Sequence, residues 1–123
     1  MRLLAIAAAA LAVGAAPFKA TLTAGTHHPA ISTRWPYVVK VVDPKGKPLR
    51  ARISVAVVDP LGGVHPTLYY VSKTKYVTNI LFRGTFRDAV RWPPESKGYP
   101  LTFRVTVKVG TAKKVLTYLV TPA

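Results

Sequence analysis

The chain changes its pattern of apolar and polar positions near residue 16. Leu3 to Val13 is an unbroken apolar run of 11 residues, whereas from Phe18 onward apolar residues recur at every second position. Period two is the signature of strands with one face on a core and the other in water. Segment 18–23 alternates weakly and predicts an edge strand. Tyr37, Val39 and Val41 form a stripe with Lys40 on the opposite side. Leu49, Ala51, Ile53, Val55 and Val57 form a second stripe, against Arg50, Arg52 and Ser54. Segments 67–71 and 76–82 are rich in Tyr, Val, Thr and Ile, which fit a pleated surface. Leu101, Phe103, Val105, Val107 and Val109 alternate with Thr102, Arg104, Thr106 and Lys108, and 115–120 reads as a last strand. No stretch after residue 16 carries a 3.6-residue period with caps. The pattern predicts about seven strands and no helix.

Two of the strand ends share one turn signature. Val41-Val-Asp-Pro-Lys-Gly46 and Val57-Val-Asp-Pro-Leu-Gly62 both read V-V-D-P-x-G. Asp at the first position, Pro at the second and Gly at the fourth is type I turn chemistry: proline presets φ and the carboxylate accepts from following N–H groups. Asp43 and Asp59 are therefore expected to hold turns. Read as a pair of catalytic acids, they would need a proximity that nothing in the pattern supplies.

Short strands punctuated by Gly/Pro turns, without helices, predict an all-β antiparallel sandwich. Residues 35–55, from Trp35-Pro-Tyr-Val-Val-Lys to Ile-Ser-Val55, resemble bacterial secreted immunoglobulin-like modules. They also resemble the carboxypeptidase regulatory-like group, with its strand, D-x-x-G-x-P-L turn and second strand. Gly98-Tyr99-Pro-Leu-Thr-Phe-Arg-Val-Thr-Val107 resembles the tyrosine corner entering a late strand of such sandwiches. The resemblance implies an immunoglobulin-like sandwich, a hydrogen bond from Tyr99 to upstream backbone, and a structural, adhesive or appended role.

The opening apolar run is too short for the roughly 20 residues of a spanning helix and suits a signal-peptide core. Arg2 supplies its positive flank, and Val13 and Ala15 its small residues, so cleavage is expected after Ala15. Cleavage after Ala16 would put Pro17 behind the scissile bond. The expected organisation is a signal peptide over 1–15 and one sandwich domain over 16–123, secreted or extracytoplasmic in the cell envelope. No transmembrane segment is expected after cleavage.

The 123 residues carry 18 Lys and Arg against 4 Asp and Glu, with no cysteine. Removal of 1–15 takes away Arg2 and leaves 108 residues with 17 basic and 4 acidic side chains, a net +13. Half of the chain is hydrophobic, so a packed core is expected in spite of the charge. Lack of cysteine excludes a disulfide scaffold, a thiol nucleophile and a thiolate metal site. Four carboxylates leave little for paired-acid hydrolysis or an all-oxygen calcium cage. None of Ser32, Ser54, Ser72 and Ser96 sits in a G-x-S-x-G elbow, and no glycine loop is built to cradle phosphate. The expected protein is not an enzyme.

Two constellations remain. Arg50 and Arg52, Arg83 with Arg87 and Arg91, and Arg104 with Lys108 recur at spacings of two or four, which turns each set to one side of a strand. If such strands are neighbours they make a cationic face, with Tyr70, Tyr76 and Tyr118 interleaved. That face would bind an anionic cell-wall or surface polymer, or another surface protein, without specific nucleic-acid recognition. The alternative uses His27, His28 and His65. With successive strands alternating in direction, their loops and the 92–100 loop would share one pole, where three imidazoles beside Glu95 could carry copper or zinc. Trp35 and Trp92, each before a proline, are expected in the core. The sequence thus predicts a monomeric, exported binding or structural module with a cationic face, and as the alternative a transition-metal carrier.

Overall fold

The computed structural model describes residues 17–123. The expected signal peptide, residues 1–15, lies outside the described residues. The chain runs β1 (Lys19–Ala24), β2 (Arg34–Val42), β3 (Arg50–Val58), β4 (Val64–Pro66), β5 (Ile80–Arg83), β6 (Thr85–Arg91), β7 (Leu101–Val109) and β8 (Ala112–Val120), with a 3₁₀ turn at Pro94–Ser96. One antiparallel sheet has the order β1-β2-β6. The other has β4-β3-β7-β8, with β5 also on β3. In immunoglobulin lettering these are A-B-E and C′-C-F-G, so the chain is an immunoglobulin-like β-sandwich.

The inward stripes meet as the alternation requires. Trp35, Tyr37, Val39 and Val41 of β2 pack against Ile53 and Val55 of β3 and Phe103, Val105 and Val107 of β7, all buried. Phe103 takes the edges of Trp35 and Tyr37 at centroid distances of 5.1 and 4.9 Å. The Trp35 indole N–H donates to Thr26 O at 2.9 Å, so this aromatic is buried with its polar end satisfied. Trp92 is buried as well, at 1% exposure.

The strand count differs from the sequence reading in the middle of the chain. Segment 67–71 is not a strand. The free edge of β3 is lined by β4, then Thr67 and Val77, then β5: Thr67 N–H donates to Val55 O, and Val55 N–H to Val77 O. The intervening 68–76 leaves this edge and reaches over the gap to β6, where the Tyr69 ring lies 6.1 Å from Phe86. Segment 76–82 contributes only its end, as the start of β5. β6 was not among the expected strands because Asp88 occupies an inward position, opposite Tyr37, and interrupts the apolar stripe.

Gly84 explains why β5 and β6 belong to different sheets. Its φ is +74°, and an added Cβ would stand 2.7 Å from Pro48 Cβ. Its N–H donates to Leu49 O, beside β3, and its carbonyl accepts from Val41 of β2. Only a residue without a side chain fits this crossing point.

Both V-V-D-P-x-G segments form the same turn. Asp43 Oδ1 accepts from the N–H groups of Lys45 and Lys47 at 2.8 and 2.9 Å. Asp59 Oδ1 accepts from Leu61 and Gly63, both at 2.9 Å. The two turns lie at opposite ends of β3, and hence at opposite poles of the sandwich.

Candidate functional site

The cationic candidates divide between the two sheets. Register places Arg50 opposite Arg83, Arg52 opposite both Leu81 and Lys108, and Lys108 opposite Lys113. Arg104 stands four residues before Lys108, between Ala56 and Thr117. These positions alternate with the buried stripes, so Arg50, Arg52, Arg83, Arg104 and Lys108 share the outer face of the larger sheet. Lys113 joins them. It lies just before 115–120, the stretch whose alternation marks the last strand, because β8 begins earlier, at Ala112.

Arg87 and Arg91 are not on that face. The crossing at Gly84 carries them to the smaller sheet, opposite Val38 and Arg34, so the in-register set Arg83, Arg87 and Arg91 is split. Arg34 and Arg91 stand over the Tyr70 ring at 5.5 and 5.0 Å, and Arg91 donates to the Tyr70 hydroxyl and to Ser32 O. The tyrosines are not interleaved with the larger sheet's cations. Tyr118 turns inward and donates to Gly25 O at 2.8 Å, and Tyr70 and Tyr76 line a groove elsewhere.

Where the acids sit decides the electrostatics. Among the described residues the one ion pair is His65 with Asp59, at 2.8 Å, so no lysine or arginine is neutralised by a carboxylate in contact. Asp43 and Asp59 hold turns, Asp88 faces inward, and Glu95 lies in the 3₁₀ turn. No carboxylate stands on the outer face of either sheet.

The groove has a volume of about 1240 Å³ and lies between the 59–76 segment and the 89–101 segment. Its walls are mainly apolar and aromatic, with Leu68, Tyr69, Tyr70, Tyr76 and Tyr99 among them and Asp59, His65, Lys73, Arg91 and Glu95 as charged members. Tyr99 sits in the connection into β7, but the side-chain hydrogen bond to upstream backbone that the tyrosine-corner resemblance implies is not formed among the described residues: the residue is 56% exposed and forms part of the groove. The His65 hydrogen bond, followed by the Gly63 and Leu61 N–H groups, holds the Asp59 carboxyl below the usual carboxylate range. Burial pushes Asp88 the other way, against the Tyr70 and Ala89 N–H groups and Arg34, which favour its charged form. Burial, and next the Asp88 charge, raise the Tyr37 hydroxyl far above its ordinary value.

His65 and Asp59 have the arrangement of two members of a nucleophile-activating triad. The groove's serines do not complete it. Ser72 Oγ accepts from the Thr74 and Lys75 N–H groups, and Ser96 Oγ donates to Pro93 O. The pair closes a turn.

The histidine loops and the 92–100 loop do share one pole, but the imidazoles stay apart. His65 is on β4 and its partner is Asp59. His27 Nδ1 donates to Leu119 O and His28 Nδ1 to Thr121 O, beside the end of β8. β4 and β8 are opposite edges of the larger sheet, three strand spacings or roughly 14 Å apart. Glu95 lines the groove with His65, away from the His27 and His28 pair. Among the described residues, no three of His, Asp and Glu could hold one metal ion. The His27 ring stacks on Tyr118 at 4.1 Å.

No protein-family model matches the chain, and neither does any curated protein. Among solved structures it is similar to a DUF4466 family protein from Parabacteroides merdae, with 16% identity over 89% of this chain and a TM-score of 0.48. The chain spans 44% of that protein's length. Among the described residues no helix is long and apolar enough to cross a membrane.

Proposed function

We propose that the chain is an exported, non-catalytic module of the bacterial immunoglobulin-like type that holds anionic polymers or surfaces through the outer face of its larger sheet. The observation that carries this reading is the row of like charges set directly opposite one another: Arg50 with Arg83, Arg52 with Lys108, Lys108 with Lys113. Such cross-strand pairs destabilise a sheet. Lysines that blunt exposed edges belong on edge strands, yet Arg52 and Lys108 lie on the inner strands β3 and β7. A face that costs stability and lacks neutralising acids suits a ligand that brings the opposite charge. Attraction of this kind is non-directional and weakens with salt.

Retention on heparin in a salt gradient tests it. Wild type is expected to bind at about 50 mM salt and elute well below 1 M. The combined Arg50→Gln, Arg52→Gln, Lys108→Gln and Lys113→Gln variant should elute much earlier with its fold intact, since surface changes usually cost under about 0.5 kcal/mol each. Elution of both proteins at the same salt would overturn the reading.

A second reading, transition-metal carriage, is favoured by one feature of His27 and His28. A carbonyl only accepts, so each Nδ1 carries a proton, which in the neutral ring leaves the lone pair on Nε2. Anchoring one ring nitrogen this way is common among metal-bound imidazoles. This pair, without His65, would supply two ligands to copper(II) or zinc. Titration calorimetry should then give a binding heat that His27→Ala removes, and no heat in wild type would dismiss the reading.

A further inference from the structure

The cations of the larger sheet share their outer face with exposed apolar side chains. Leu81, opposite Arg52, is 51% exposed; Val115, opposite Thr106, is 49% exposed; Leu119, opposite Thr102, is 67% exposed. Val64, opposite Val58, is 49% exposed on the same side. Eight large hydrophobic side chains are exposed among the described residues, so half of them lie on this one face. Single exposed apolar residues are ordinary; here four of them, on the edge strands β4, β5 and β8, share one face with the cations. Ser54, Thr102, Thr106 and Thr117 fill further outward positions with small hydroxyls, and no carboxylate stands between them.

A hydrated polymer of sulfate or phosphate would attract the cations and leave the leucines and valines in water. A bilayer containing anionic lipid takes both. Phosphate headgroups meet the Arg and Lys side chains, while the apolar side chains reach the boundary with the acyl chains, as on proteins that lie flat on membranes. From Arg52 to Lys113 is two strand spacings, about 10 Å, and successive outward rows lie about 7 Å apart along the strands. The face therefore presents a two-dimensional array of charge and apolar surface, the form of a lipid headgroup layer, and not a single file of charge along a polymer. We infer that this face docks on the surface of a bilayer carrying anionic lipid. This rests on the cationic-face reading and names the anion.

The test uses vesicles of phosphatidylcholine alone and of phosphatidylcholine with about 30% phosphatidylglycerol, with heparin in parallel. Wild type should sediment with the anionic vesicles at 100 mM salt and not with the neutral ones. The combined Leu81→Ser, Val115→Ser and Leu119→Ser variant should bind the anionic vesicles at least about tenfold more weakly and keep its retention on heparin, with its circular dichroism and thermal midpoint confirming that it is folded. Arg52→Gln or Lys108→Gln should each weaken vesicle binding about fivefold. Equal vesicle binding by the serine variant and wild type would overturn the inference. So would heparin binding without vesicle binding, which would leave the polyanion reading standing; loss of both ligands by wild type would remove both. The chain has no cysteine, so a spin label at Thr106→Cys or at Thr21→Cys, on the smaller sheet, gives a second readout with the apolar side chains intact. On anionic vesicles the label at 106 should become shielded from a water-soluble relaxant while that at 21 stays accessible. Equal accessibility at the two positions would also overturn the inference.

Discussion

The sandwich uses one turn twice, and the two copies stand in opposite surroundings. Around Asp43 the neighbours are Lys45 and Lys47, with Arg50 and Arg83 just beyond, and the carboxylate is committed to backbone N–H groups. Around Asp59 the position of Lys47 is taken by Gly63, the second carboxylate oxygen goes to His65, and the aromatic groove opens alongside. The turn itself is therefore a device of the fold. What differs between the poles is the balance of charge: cations crowd Asp43 at one, whereas the groove at the other sets two of the chain's four acids, Asp59 and Glu95, beside Lys73 and Arg91.

Substitution of two glycines beside the Asp43 turn should have the largest effects. Gly84→Ala forces a side chain into the left-handed region and against Pro48. It should cost about 3 kcal/mol by the sum of backbone strain and overpacking, read as a fall in the thermal midpoint. At Gly46, where φ is +86° but an added Cβ meets nothing within 4 Å, alanine should cost only about 1 kcal/mol. A fall as large at Gly46 as at Gly84 would mean that contact with Pro48 matters little.

A smaller effect separates the two turns. An added Cβ at Gly63 would stand 2.5 Å from Asp59 Oδ2, the oxygen bound to His65. Gly63→Ala should rotate that carboxylate and release His65, seen as a change in the His65 imidazole resonances, at a cost of roughly 1 kcal/mol. Lys47→Ala, at the matching position, should stay within about 0.5 kcal/mol of wild type. Unchanged His65 resonances in Gly63→Ala would show that the turn tolerates the methyl group without losing the pair.

The acids should also differ in their response to pH. Asp59 is held below its ordinary range, so its stabilisation is complete above about pH 4 and is lost as pH falls through its folded value. Asp88 is raised, so ionisation opposes folding at neutral pH and the opposition eases as pH falls through its folded value. Thermal midpoints between pH 3 and 7 should show Asp59→Asn flattening the acid loss and Asp88→Asn steepening it. Changes of the same sign would contradict the assigned causes.

Much of this fold was legible from alternation alone, since the stripes of β2, β3 and β7 are nearly pure and the two turns announce themselves by composition. The middle was not. The run 67–71 has strand residues but serves as a cover over the gap between sheets, with Val71 92% exposed, a tertiary use that local pattern does not encode. Asp88 concealed β6 because a carboxylate stands where an apolar side chain was expected. The shared pole of loops 25–33, 59–63 and 92–100 was anticipated although the strands were counted differently, because β4 and β5 run in one direction along one edge and act as a single strand. The cationic face was legible in part: spacing of two identifies a side of a strand, whereas the partner strand, and therefore the split of Arg83 from Arg87 and Arg91, depends on the crossing at Gly84.

On the proposed reading, position on the larger sheet, and not net charge, makes the anion-binding surface. The salt dependence of binding to a short DNA duplex, used as a generic polyanion, tests this most directly. Each phosphate contact contributes about −0.9 to the slope of log K against log salt. The combined Arg50→Gln, Arg52→Gln, Lys108→Gln and Lys113→Gln variant should lose up to about 3.6 from the magnitude of that slope. Lys40→Gln with Arg87→Gln, on the smaller sheet, should leave it nearly unchanged. An equal loss of slope per substitution on both sheets would contradict the claim.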